Sequence, residues 1–154
     1  MWMQLNMESS KYQFLMTVHP AFGMADVGKV GWRFGLKKAL SKFVLSAHSL
    51  EIETGRFARP VLPRSLRYCA FCLMHGSQNL GDEAHALDVC PQFSEKRKLA
   101  MARIKLFIQP SDVQDKNIVE ILKYLDQYKE DVRIEVWRAV AILTEHIQAT
   151  KDKR

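Results

Sequence analysis

All three cysteines of this 154-residue chain fall in one short stretch. Cys69 and Cys72 form a Cys-x-x-Cys pair, His85 follows after twelve residues, and Cys90 follows after four more. Three thiols and an imidazole are a donor set for tetrahedral zinc, with metal–sulfur bonds of ~2.3 Å and metal–nitrogen bonds of ~2.0 Å. The first pair lets two sulfurs curl around one ion on a tight turn, and His-x4-Cys returns the chain to close the cage. Four protein ligands leave no open position, so the expected zinc centre is structural rather than catalytic.

Other readings of the cysteines fare worse. Disulfide pairing leaves one over. A thioredoxin-like redox pair needs a βαβ context, and Arg67-Tyr-Cys-Ala-Phe-Cys-Leu-Met74 shows none. Buried, inert cysteines need not cluster. His75 is a rival nitrogen donor, but it sits three residues after Cys72, where the loop would have to reverse at once; His85 is the better ligand and His75 a surface residue of the insert.

The elements that must position these residues read as helices. A period of three and four places Trp32, Leu36, Leu40, Phe43 and Ala47 on one stripe of a helix from about Lys29 to His48, with Arg33, Lys37, Lys38 and Lys42 opposite. Glycines at 31 and 35 weaken it by ~1 kcal/mol each relative to alanine. Residues 49–57 read as a helix tail or short extended piece ending at Gly55, and Ala58 to Arg64, with Pro60 and Pro63, as an extended linker. Pro91 starts a further helix continuing to Ile108, with Phe93, Arg97, Ala100, Ile104 and Phe107 on one face. After Pro110, one helix from about Asp115 to Lys129 buries Ile118, Ile121, Leu122, Leu125 and Tyr128. Another, from Asp131 to about Thr150, buries Val136 or Trp137, Val140, Leu143 and Ile147; the short turn between them predicts an antiparallel αα-hairpin over 111–150. The expected fold is therefore mostly α: a poorly defined N-terminal segment over 1–28 (with a short helix within Lys11–Val18), a basic helix, zinc-binding loop and following helix over 29–108, the hairpin, and a frayed tail over 151–154.

Composition narrows the function classes. The chain is 47% hydrophobic, ample for a core, and has no apolar run long enough to span a membrane. The N-terminus lacks the pattern of a signal peptide, which with free thiolates predicts an intracellular, reducing setting, nucleus or cytoplasm. The net charge of +6 sits in the first half: between Lys29 and Arg67 nine basic residues face two acidic ones. Such a surface suits a polyanion or is merely solvated. Arg56, Arg59, Arg64 and Arg67 approach the first cysteine interleaved with Phe57 and Tyr68; guanidinium forks suit phosphates and aromatic faces stack on unpaired bases. The competing reading pairs Arg56 or Arg67 with Glu51, Glu53 or Asp82 inside the fold. Lys96 and Lys98 belong to a second basic cluster. The predicted nucleic-acid residues are thus Arg33, Lys37, Lys38, Arg56, Arg59, Arg64, Arg67, Tyr68, Lys96 and Lys98, and the predicted ligand RNA or single-stranded DNA. The alternative is a protein-interaction scaffold working through the helices of 115–150. No Ser-His-Asp, Cys-His or paired-carboxylate constellation stands out, so no enzyme is expected.

Leu50-Glu-Ile-Glu-Thr-Gly-Arg56-Phe, Pro63-Arg64, Arg67-Tyr-Cys-x-x-Cys72, Asp82-Glu83-x-His85 and Cys90-Pro-x-Phe93 occur in this order. The string resembles the cysteine/histidine zinc-binding segment at the C-terminal end of reverse-transcriptase polyproteins of non-LTR retrotransposons. The resemblance covers roughly Ser46 to Arg97. It implies that Cys69, Cys72, His85 and Cys90 are the zinc ligands. Gly81 and Ala86 depart from the family's acidic triplet and bulky apolar residue around the histidine. The Asp82-Glu83 pair is expected to accept from the His85 ring. Polymerase and endonuclease parts are not represented, so the resemblance implies a detached or truncated terminal module.

Overall fold

The computed structural model describes Phe14, Thr17, Val18 and residues 31–153. Among the described residues the chain is mostly helical, with no strand beyond an isolated antiparallel bridge between Tyr68 and Leu80. No described helix is long and apolar enough to cross a membrane.

Three helices form the framework. Helix α1 spans Phe34–Val44 and buries Leu36, Ala39, Leu40, Phe43 and Val44. Two short helices follow, α2 over Glu51–Thr54 and α3 over Ala70–Met74. Helix α4 spans Ser94–Ile104, entered through a 3-10 turn at Pro91–Phe93. After a short α5 (Pro110–Val113) and α6 (Ile118–Lys123), the 22-residue α7 runs over Glu130–Lys151. At 1.5 Å per residue α7 is about 33 Å long. It buries Val136, Trp137, Val140, Leu143 and Ile147 along one stripe, with acids in its first turn and Lys151 in its last, the charge order that the helix dipole favours.

Several expectations shift. The basic helix begins at Phe34 rather than near Lys29, because residues 31–33 are not helical, and it ends at Val44, because Ser46 takes a left-handed φ of 52°. Consequently Ala47 is exposed and Trp32 only half-buried. Helix α4 stops at Ile104, so Phe107 leaves the stripe and is exposed. The helix expected over 115–129 is cut to α6 and a 3-10 turn, because Asp115 adopts a φ of 60° before it and the chain tightens at Leu125–Gln127 after it. Ile118, Ile121, Leu122 and Leu125 are nevertheless buried as expected, while Tyr128 is half-buried. The dominant packing of α7 is on α1 and α4, not on its chain neighbour α6. Trp137, Phe43, Phe93, Leu40 and Leu122 belong to one continuous core shared by all these helices, since a stripe of apolar residues on each faces inward.

The frayed C-terminal tail is also corrected. Lys151 is the last helical residue and 6% exposed, and Asp152 accepts a hydrogen bond from Ser49 Oγ. Of the N-terminal segment, Phe14, Thr17 and Val18 are helical, in the stretch where a short helix was expected, with Phe14 edge-on to Phe43 at a centroid distance of 5.6 Å. The rest of the expectation for 1–28 lies outside the described residues.

Candidate metal centre

Cys69 stands at the N-terminus of α3 and Cys72 lies within its first turn, so the helical rise itself brings two sulfurs to one side. The chain then reverses. Gly76, at a φ of 80°, turns it, and Cys69 N–H donates to Asn79 O at 2.7 Å while Gly81 N–H donates to Arg67 O at 2.9 Å. This narrow pairing, which includes the Tyr68–Leu80 bridge, returns the backbone to the cysteine pair. Asp82 then caps the next turn, its Oδ1 accepting from His85 N–H at 2.8 Å.

His85–Val89 is a π-helical turn, closed by Cys90 N–H donating to His85 O at 2.7 Å. An i to i+5 ring is rare, and it commonly marks functional sites. Here it has a geometric consequence. Residues five apart diverge on an α-helix, whereas the wider turn brings His85 and Cys90 to the same side. Arg97 holds the far end, donating from Nε to Leu87 O at 2.5 Å and from Nη2 to Cys90 O at 2.7 Å.

The four donor atoms all lie within 4.8 Å of one another and all four residues are buried. Cys69 Sγ is 3.8 Å from Cys90 Sγ, Cys72 Sγ is 4.0 Å from Cys90 Sγ, and Cys72 Sγ is 3.3 Å from His85 Nε2. Cys69, Cys72, His85 and Cys90 are therefore positioned to hold a metal ion. His75 is exposed, its ring stacked on Phe71 at 4.3 Å.

The thiols differ in acidity. Cys69 is held well below the ordinary thiol range, chiefly because the Cys90 thiol donates to it, with a smaller contribution from the positive charge of Lys151. Cys90 is pushed up by that same donation and by burial, and Cys72 by burial first and by the neighbouring Cys69 charge second.

The expected support for the histidine ring is corrected. Asp82 spends its carboxylate on the His85 backbone, and Glu83 accepts from His48 Nε2 and Ser46 Oγ, each at 2.7 Å. Burial alone would raise the Glu83 pKa, but these two partners pull it below the usual carboxylate range. Asp88, also acidic, caps α6 by accepting from Ile118 N–H at 2.8 Å and Val119 N–H at 3.1 Å; burial pushes its pKa up.

Two glycines explain how tightly the surroundings fit. A Cβ at Gly55 would meet Arg67 Cγ at 2.6 Å, and one at Gly81 would meet Glu51 Oε2 at 2.5 Å. The side chains of Arg67 and Glu51 therefore occupy the space that these residues leave open.

Arg67 is the clearest correction among the predicted phosphate contacts. It is 9% exposed, with Nε donating to Leu62 O at 3.0 Å and Nη1 to Ile52 O at 2.7 Å, so its fork is consumed in tying the 52–62 loop to the metal segment. Arg56 pairs with Glu53 at 2.9 Å, as the competing reading allowed, while remaining largely exposed. Arg59 is exposed, Arg64 and Tyr68 are half-buried, and Phe57 is 81% exposed. Lys37 is half-buried and Lys38 exposed on α1. Arg33 pairs with Glu145 of α7, and Lys98 with Glu95 at 2.8 Å. Arg33 and Lys96 border one cavity of about 540 Å³ between α4 and α7, along with Arg103 and His146. The predicted basic residues therefore fall in separate groups rather than one patch. Beside His85 a second cavity of about 490 Å³ is edged by Asp82, Asp88 and Glu120, with Lys123 the only Lys or Arg along its lining, an unfavourable place for phosphate.

Glu51, Asp88, Arg97 and Lys151 are the supporting residues that the sequence reading missed. Lys151 had a signal, since it continues the spacing Val140, Leu143, Ile147 by one further turn. Compared with known proteins, the chain matches no family model, no curated protein and no solved structure.

Proposed function

We propose that Cys69, Cys72, His85 and Cys90 bind one zinc ion and that the protein is a non-catalytic nucleic-acid-binding module, as the resemblance to the C-terminal zinc-binding segment of non-LTR retrotransposon reverse transcriptases implies. The observation that carries the zinc assignment is the donor tetrahedron. Zinc–sulfur bonds of ~2.3 Å at tetrahedral angles place sulfurs ~3.8 Å apart and sulfur ~3.6 Å from nitrogen. The observed separations of 3.8 and 4.0 Å between sulfurs and 3.3 Å from sulfur to nitrogen lie close to those values, and all four donors are within 4.8 Å of one another. Thiolate-rich, four-coordinate sites select zinc over hard cations. Elemental analysis should find one zinc per chain, and none in Cys72→Ala.

The nucleic-acid reading rests on the loop that Arg67 ties to this centre. It presents Arg56, Phe57 and Arg59 outward, with Arg64 beside them, a combination of phosphate forks and an exposed ring suited to RNA or single-stranded DNA. Three phosphate contacts on a single strand predict a loss of affinity of about 20-fold between 50 and 200 mM salt. Fluorescence anisotropy with single-stranded RNA and DNA measures it, and binding that ignores salt rejects the reading. One observation favours a protein partner instead: Phe57, Val61, Leu62 and Leu66 are all exposed on the same loop. On that reading Arg59→Glu would leave affinity for nucleic acid at its already negligible level.

A further inference from the structure

Among the described residues Lys151 is the only buried lysine. Its Nζ donates to Glu51 Oε1 at 2.6 Å and lies 3.8 Å from Cys69 Sγ, within hydrogen-bonding reach of sulfur. The side chain is 3% exposed. The same Glu51 oxygen accepts from Ala70 N–H at 3.0 Å, so one carboxylate joins the last turn of the long helix to the backbone of the Cys-x-x-Cys turn. Gly81 completes the seat by leaving room for the Glu51 side chain.

The charge arithmetic gives this arrangement a purpose. A divalent ion with three thiolates and a neutral imidazole carries a formal charge of −1, and enclosing that charge in a buried site is costly unless it is balanced. Lys151 is the cation placed there, shared between the sulfur and the Glu51 carboxylate, so it offsets part of the charge around the centre. Hydrogen bonds to ionised acceptors are about twice as strong as neutral ones, and an ion on Cys69 would keep its sulfur a thiolate fixed 3.8 Å from the ammonium. We infer that Lys151 is an outer-sphere positioning residue of the metal centre, through which the ion and the C-terminal turn of α7 stabilise one another. The inference rests on the zinc reading above and adds a coupling to it: metal affinity depends on a residue 61 positions beyond the last ligand, Cys90.

The test compares zinc affinity, by competition with a chromophoric chelator, in the full chain, in Lys151→Met and in Lys153→Met. Both variants lose one positive charge, but Lys153 is exposed. Removing an outer-shell partner typically costs 10–100-fold in metal affinity, so Lys151→Met should weaken zinc binding by about that factor and Lys153→Met should not. Affinity of Lys151→Met within twofold of the parent, or equal weakening by both variants, overturns the inference while leaving the zinc site intact. A parent chain that binds no zinc overturns the zinc reading and the coupling with it. Hydrogen exchange on the unaltered chain provides the reciprocal measurement, independent of how the variants fold. Chelation should speed exchange of the amides of 148–151 far more than those of 137–143, and an unchanged last turn refutes the coupling.

Discussion

Two regions of this protein are held together by different physics. The α1–α4–α7 framework rests on apolar burial: Leu36, Leu40, Phe43, Val136, Trp137, Val140, Leu143 and Ile147 interlock with few polar bonds between the helices, Gln148 Nε2 to Ala39 O at 2.8 Å being one. The segment from Glu51 to Phe93 has only short helical turns, and its shape comes from side chains bonding backbone: Arg67 to Ile52 and Leu62, Arg97 to Leu87 and Cys90, Glu51 to Ala70, Asp82 to His85. Apolar burial is non-directional and survives small displacements, whereas directed bonds hold in one geometry only, which an ion among the three thiols and His85 would fix. Metal loss should therefore damage one region and spare most of the other.

The sharpest way to break that comparison is Cys72→Ala. In small zinc domains the metal contributes an apparent ~10–16 kcal/mol, so residues 67–93 should lose protection in hydrogen exchange while the middle of α7 keeps it. Uniform loss across both regions would show that the two are a single cooperative unit. Acidification probes the same site by titration. Burial raises Cys72 and donation to Cys69 raises Cys90, whereas that same donation lowers Cys69. Protons and metal compete for the same sulfurs, so apparent zinc affinity should fall by roughly tenfold or more for each pH unit lowered from neutrality, as chelator competition at several pH values would measure.

The opposite perturbation comes next in size. Trp137→Ala empties the centre of the framework and should cost about 3–5 kcal/mol in denaturant unfolding of the zinc-loaded protein, with zinc stoichiometry unchanged. Arg67→Met removes two charge-assisted bonds to carbonyls at the seam, for about 2–3 kcal/mol, and should show first as faster proteolysis within 56–66. Smallest is Asn117→Ala. It dismantles a capping box with Glu120, but Asp88 already caps the same helix end, so thermal unfolding should report about 1 kcal/mol or less.

The sequence by itself determined the ligand set and the apolar stripes, because both depend on residue type and spacing within a short stretch of chain. Cys69, Cys72, His85 and Cys90 needed nothing beyond local turns to converge, and Val136, Trp137, Val140, Leu143 and Ile147 announce a buried face by period alone. Only the tertiary structure decided which charges face solvent. Arg67 and Lys151 are chemically the same as their exposed neighbours Arg59 and Lys153, and the only local difference is that Lys151 continues the apolar spacing of α7 by one turn. Their burial is set by carbonyls and carboxylates brought from 15 and 100 residues away, Ile52 O for one and Glu51 for the other. The partners of α7 were equally non-local: α1 and α4 pack against it more extensively than α6, its neighbour in the chain.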